Sequence, residues 1–107
     1  MPTSRIMYVE DKSAGLVGPA RIGRVAFSKR EKTLHYSGLS FRSLAGRGSK
    51  ANFYCVETHG HYWISGPRRD GQDGLYGYRP TPIDEDVRAE YWTLIRGQPA
   101  RIHESTT

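Results

Sequence analysis

A chain of 107 residues, 36% of them apolar, supports one domain with a single modest core and leaves no room for a second. No apolar run approaches the roughly 20 residues that span a bilayer, and the start, Met-Pro-Thr-Ser-Arg-Ile-Met-Tyr, lacks the apolar stretch of a secretory signal, so a cytoplasmic protein is expected. The net charge of +5 is uneven: residues 1–79 carry 13 Lys or Arg against 6 Asp or Glu, whereas residues 80–107 carry 3 against 5.

Along the chain, residues 4–9 read as a first strand, followed by the punctuation of Gly15 and Gly18-Pro19. Residues 20–28 read as a second, with Val25 and Phe27 on one face and Arg24 on the other. The charged run Lys29-Arg30-Glu31-Lys32 turns into a third strand beginning at Thr33. Leu34 and Tyr36 share one parity there and Leu39 and Phe41 the other, so a one-residue bulge near Ser37-Gly38 is expected to bring both pairs to one side. Residues 44–50 follow as a loop, since no apolar side chain larger than alanine lies between Leu44 and Phe53 to tie it to a core.

The segment 51–66 reads as a hairpin turning at His59-Gly60, which sets Val56 opposite Trp63 and Cys55 opposite Ile64. Alternation puts Phe53, Cys55, Glu57, Tyr62 and Ile64 on one face and Tyr54, Val56, Trp63 and Ser65 on the other. Both faces are apolar, so the hairpin is expected to be central and covered on both sides. Residues 81–96 read as a helix opened by a Thr81-Pro82-Ile83-Asp84 capping box, with Asp84 as an alternative cap. Its apolar stripe is Ile83, Val87, Tyr91, Leu94 and Ile95, Gly97 ends it, and residues 98–107 are expected to fray. The fold expected is mostly β with one C-terminal helix: a single domain, ordered over about residues 5–97, in which a strongly bent antiparallel sheet or small open barrel of about five strands is closed on one side by that helix.

Catalytic chemistry finds little support. Cys55, His59, His61 and His35 are the conceivable zinc ligands, but no Cys-x-x-Cys or His-Glu-x-x-His spacing is present, so no metal site is expected. Cys55, the only cysteine, alternates with Phe53 as a core residue does, which leaves it neither a disulfide partner nor a nucleophile. Asp84, Glu85 and Asp86 suit the positive end of a helix dipole rather than acid-base work. No phosphate-loop or dinucleotide motif occurs, and no cofactor is expected.

Basic residues interleaved with aromatics offer more. Gly46-Arg47-Gly48-Ser49-Lys50 and Gly66-Pro67-Arg68-Arg69-Asp70-Gly71 are Gly-flanked basic loops, and Tyr76, Tyr78 and Arg79 follow the second. Cations that hold phosphates beside rings that stack bases are the materials of a single-strand platform. The residues expected to bind nucleic acid are Arg21, Arg24, Arg42, Arg47, Lys50, Arg68, Arg69, Tyr76 and Tyr78. The alternative is an accessory or immunity-type domain whose basic face docks an acidic protein.

The pieces Arg5-Ile6-Met7-Tyr8-Val9-Glu10, Gly18-Pro19-Ala20-Arg21-Ile22-Gly23-Arg24-Val25, Tyr62-Trp63-Ile64-Ser65-Gly66 and Ile83-Asp84-Glu85-Asp86-Val87-Arg88 resemble a family of short bacterial proteins of unknown function, over residues 5–97. Chains of that type are sometimes labelled 1-deoxy-D-xylulose-5-phosphate synthase, a thiamine-diphosphate enzyme that needs large α/β domains and a Gly-Asp-Gly motif with a downstream Asn. This sequence has only Arg69-Asp70-Gly71 and no Asn after it, so the resemblance implies a bacterial cytosolic origin and not that activity.

Overall fold

In the sequence Tyr36-Ser37-Gly38-Leu39, Ser37 has φ 53° and Gly38 φ 80°, the paired left-handed residues of a tight hairpin turn. The expected bulge is therefore a reversal, and the single long strand becomes two. The computed structural model describes residues 3–15, 18–28, 32–46, 51–73 and 80–107. Six strands run through them: β1 Thr3–Asp11, β2 Ala20–Phe27, β3 Thr33–Tyr36, β4 Leu39–Ser43, β5 Phe53–Cys55 and β6 His61–Ser65. Each pairs antiparallel with its neighbour in sequence, and β6 pairs back onto β1 to close a barrel. The turn brings both pairs to one side as the expected bulge would, because Leu34 faces Phe41 and Tyr36 faces Leu39 across it, all four on the inner side.

Period-two alternation makes two cores. Val9, Val25, Phe27, Leu34, Phe41, Cys55 and Ile64 fill the barrel, with Met7, Phe53 and Tyr62 packed against them. Ile6, Tyr8 and Ile22 point outward from β1 and β2 and bury against Ile83, Val87, Tyr91 and Trp92. Trp63 joins this outer cluster, so the second face of the last hairpin is covered along β6 only; on the β5 side Tyr54 stays half-buried and Val56 is 41% exposed, and the expected cover over both faces is incomplete.

Its register differs from the expected one. Phe53 pairs with Tyr62 and Tyr54 with His61, so the connection is longer than two residues and Val56 does not face Trp63. His59, not Gly60, takes the positive φ, at 64°, and Val56 donates its N–H to the Ser40 carbonyl at 2.8 Å instead of pairing across the hairpin. The slip is an even number of residues, so Phe53, Cys55, Tyr62 and Ile64 keep the inner face assigned to them; Glu57 alone leaves it and is exposed in the connection.

The helix begins later than expected. Thr81, Pro82 and Ile83 run extended beside β2: Ile22 N–H donates to the Pro82 carbonyl at 2.9 Å and Asp84 N–H to the Ile22 carbonyl at 2.8 Å. No capping box forms, and Asp84 occupies the cap position without a side-chain cap bond. The helical segment α1 opens with a tight turn, Glu85–Val87, continues through Arg88–Glu90 and closes with a wide π turn, Tyr91–Ile95. That change of pitch rotates the end of the stripe, burying Trp92 completely and leaving Leu94 74% exposed. Gly97, at φ 64°, ends the helix as anticipated. The expected fraying beyond it is replaced by packing. Ile83 N–H donates to the Ser105 carbonyl at 2.8 Å, Thr107 N–H to the Thr81 carbonyl at 3.0 Å and Trp92 Nε1–H to the Glu104 carbonyl at 2.9 Å. The Arg101 guanidinium lies 4.1 Å from the Trp92 ring centroid.

Candidate nucleic-acid interface

Because neighbouring strands alternate in direction, β2, β4 and β6 all finish at one end of the barrel. The sequence leaving that end carries Lys29, Arg30 and Lys32 after β2, Arg47 and Lys50 after β4, and Arg68 and Arg69 after β6. Here the starts of β3 and β5 and the finish of β4 frame a groove of about 690 Å³ lined by Lys32, Arg42, Ser43, Phe53 and Tyr54. Arg42 and Tyr54 are direct cross-strand partners on the outer face, since Phe41 and Cys55, their paired neighbours, point inward. Lys32 and Arg42 are exposed and Tyr54 is half-buried. Neither cation has a carboxylate within ion-pair distance among the described residues.

The structure divides the remaining expected residues. Arg69 is exposed near this end and has no ion pair among the described residues. Arg68 is engaged: its Nη2 lies 2.9 Å from Asp70 Oδ2, and its backbone N–H donates to Asp73 Oδ1 at 2.5 Å. Burial holds the Asp73 carboxyl above its ordinary range, whereas the Gln72 backbone N–H, with Arg68, holds Asp70 below its own. Arg21 and Arg24 do not belong to the groove. Arg21 Nε pairs with Asp84 Oδ1 at 2.5 Å at the opposite end of the barrel, and Arg24 Nη2 pairs with Glu90 Oε1 at 3.1 Å in the middle of the helix, so one acid before the helix and one within it neutralise the two cations. Arg47, Lys50, Tyr76 and Tyr78 lie outside the described residues. Sequence reasoning missed Lys32 and Tyr54. Alternation placed Tyr54 opposite Cys55's face, but only the β4–β5 register sets it beside Arg42.

At the opposite end, β2 outruns β3, whose pairing with it is confined to Ala26 with His35 and Phe27 with Leu34. Asp84 closes the resulting seam. Its Oδ2 accepts a short hydrogen bond from Tyr36 Oη–H and its Oδ1 takes the Arg21 guanidinium, both beside Gly23, where a Cβ would collide with the pair. Burial first, and then the Asp84 carboxylate, raise the Tyr36 phenol well above its usual range.

Two buried charges, Glu10 on the outer face of β1 and Lys12 just past its end, sit side by side. Glu10 accepts from Tyr8 Oη–H at 2.7 Å and from Gly18 N–H at 3.0 Å, and lies 3.4 Å from Lys12 Nζ. These partners give both charges a structural role. Cys55 is buried, its Sγ 3.6 Å from Glu57 Oε1. Among the described residues no cluster of three His, Cys, Asp or Glu is placed to hold a metal, and no helix is long and apolar enough to cross a membrane.

The chain is thus a closed six-stranded antiparallel barrel with an outer helix and an open basic groove at one end. No protein-family model matches it, and neither does any curated protein or solved structure.

Proposed function

We propose that this protein is a small non-enzymatic binding module that takes a single strand of nucleic acid along the Lys32–Arg42–Tyr54 groove. One observation carries the reading: the exposed cation Arg42 lies directly across from an outward tyrosine, Tyr54, on the adjacent strand, and exposed Lys32, just before β3, lines the same groove, with no acid within ion-pair distance of either cation among the described residues. Cations there hold phosphates, and the ring offers a base a stacking surface without reading its identity. Exposed Arg69 extends the positive surface at the same end.

Fluorescence anisotropy with a mixed-sequence oligonucleotide, at low and at physiological salt, tests this. Affinity is expected to fall steeply with salt, and replacing Lys32 and Arg42 together by Ala is expected to reduce the log-log slope by about 1.4, at roughly 0.7 per lost contact. Tyr54→Leu is expected to weaken binding with the slope unchanged, since stacking releases no counterion. Absence of binding at either salt would sink the proposal. Stoichiometric retention of an acidic protein in its place would favour the alternative reading, a domain that docks an acidic partner.

A further inference from the structure

The end of the barrel away from the groove holds a second, chemically different pocket. It has a volume of about 230 Å³, with Val9, Leu39, Phe41 and Tyr62 from the inner core as its apolar lining and Asp11, Arg21 and Tyr36 as its polar members. Exposed Pro19 and Ser37 at its edge leave it open to solvent. Phe41 and Tyr62 stand edge to face, their centroids 4.7 Å apart and their planes at 64°, and Tyr36 adds a third ring. That ring is held in place by the bond from its hydroxyl to Asp84.

The charges of this pocket do not cancel. Arg21 is matched by Asp84 at 2.5 Å, which removes the one cation lining the pocket from the balance. Asp11 remains. Its Oδ1 accepts the Ser13 N–H at 2.9 Å and its Oδ2 a long bond of 3.5 Å from Tyr62 Oη–H, and no cation lies within ion-pair distance of it among the described residues. One uncompensated carboxylate beside three aromatic rings is complementary to an organic cation: the rings attract a diffuse positive charge through their quadrupoles, and the carboxylate supplies the opposite charge. The volume is below the roughly 300 Å³ at which sites for drug-sized ligands begin, so it suits a compact head group.

We propose that this pocket binds a small free organic ammonium, best a methylated one, seated against Tyr36, Phe41 and Tyr62 with its charge toward Asp11. The site is independent of the nucleic-acid groove, which lies at the other end of the barrel.

Two-dimensional amide NMR on the full chain tests this, with choline as the probe and 3,3-dimethyl-1-butanol as its uncharged isostere. Choline is expected to bind saturably, shifting the amides of Val9, Leu39 and Phe41 and leaving those of Arg42 and Tyr54 in place, and the isostere to bind about tenfold more weakly. Asp11→Asn, which keeps the acceptor for Ser13 N–H, is expected to weaken choline by about the same factor, and Tyr62→Leu likewise. Should Tyr62→Leu not fold, Asp11→Asn and the isostere still decide the matter. Equal affinity for choline and the isostere, unchanged binding by Asp11→Asn, or shifts confined to other surfaces would each overturn the proposal. A short trimethyllysine peptide that bound about tenfold more tightly than choline would move the site to a protein partner and overturn the assignment to a free ligand.

Discussion

Gly23→Ala tests the seam directly. Gly23 sits on the inner parity of β2, paired with Met7, and its backbone lies outside the left-handed region, so alanine meets no conformational penalty there. In an uncrowded strand the change would gain about 0.4–1 kcal/mol by restricting the unfolded chain. Here the new Cβ falls 2.5 Å from Tyr36 Cε1 and 2.8 Å from Tyr36 Oη, and closer still to Asp84 Oδ2. All three atoms belong to side chains, so they yield before the strand does, and what is lost is the hydrogen bond between phenol and carboxylate. A hydrogen bond to a charged group contributes about 1.5–3 kcal/mol, which leaves a net destabilisation of about 1–2 kcal/mol. The melting temperature should drop by about 4–16 °C, taking roughly 4–8 °C per kcal/mol for a domain of this size. Urea unfolding of the variant and of the same change in a Tyr36→Leu background measures the coupling, and the second cost is expected to be smaller because ring and hydroxyl are already gone. A Gly23→Ala protein as stable as the parent, or more so, would show that Tyr36 and Asp84 do not converge over β2.

Both Tyr36 and Tyr62 are held above tyrosine's usual 10.0, Tyr36 by burial and then the Asp84 carboxylate, Tyr62 by burial and then Asp11. Above that pH the folded state keeps protons that the unfolded chain has released, so stability is full below about pH 10 and falls as the pH rises past it. Urea midpoints across that range should show the decline, made shallower by Tyr36→Phe. The wide closing turn of the helix predicts that Trp92→Ala costs about 3–5 kcal/mol and Leu94→Ser less than about 0.5 kcal/mol. The reverse order in thermal unfolding would restore the regular α-helical register.

What the sequence disclosed was set by the range of the interactions involved. Alternation over two residues assigned Val25, Phe27, Phe53, Cys55 and Ile64 to the inner face, and that survived even where the pairing had slipped. The turn at Ser37-Gly38 was hidden because serine at a left-handed position lacks the Asn-Gly signal by which such turns are read. Asp84 had every local mark of a helix cap. Its actual partner Arg21 is 63 residues away, and no local pattern reveals such a contact. The same limit applied to the basic surface. Its cations could be counted, but Arg24 is cancelled by an acid 66 residues distant, whereas Lys32 and Arg42 meet none among the described residues.

The segment that seals β2 comes late in the chain. During synthesis the stretch from Ala20 to Arg24 exists before Pro82 and Ile83, and until they arrive Ile22 offers an unpaired N–H and carbonyl beside an apolar outer face. That is a sticky edge, with which the corresponding 80–84 segment of another copy can pair when chains are concentrated enough to compete with its own. Exchange of this segment between two chains would rebuild every bond of the seam without a new contact, so crowded expression or slow refolding should favour intertwined dimers assembled through the clasp.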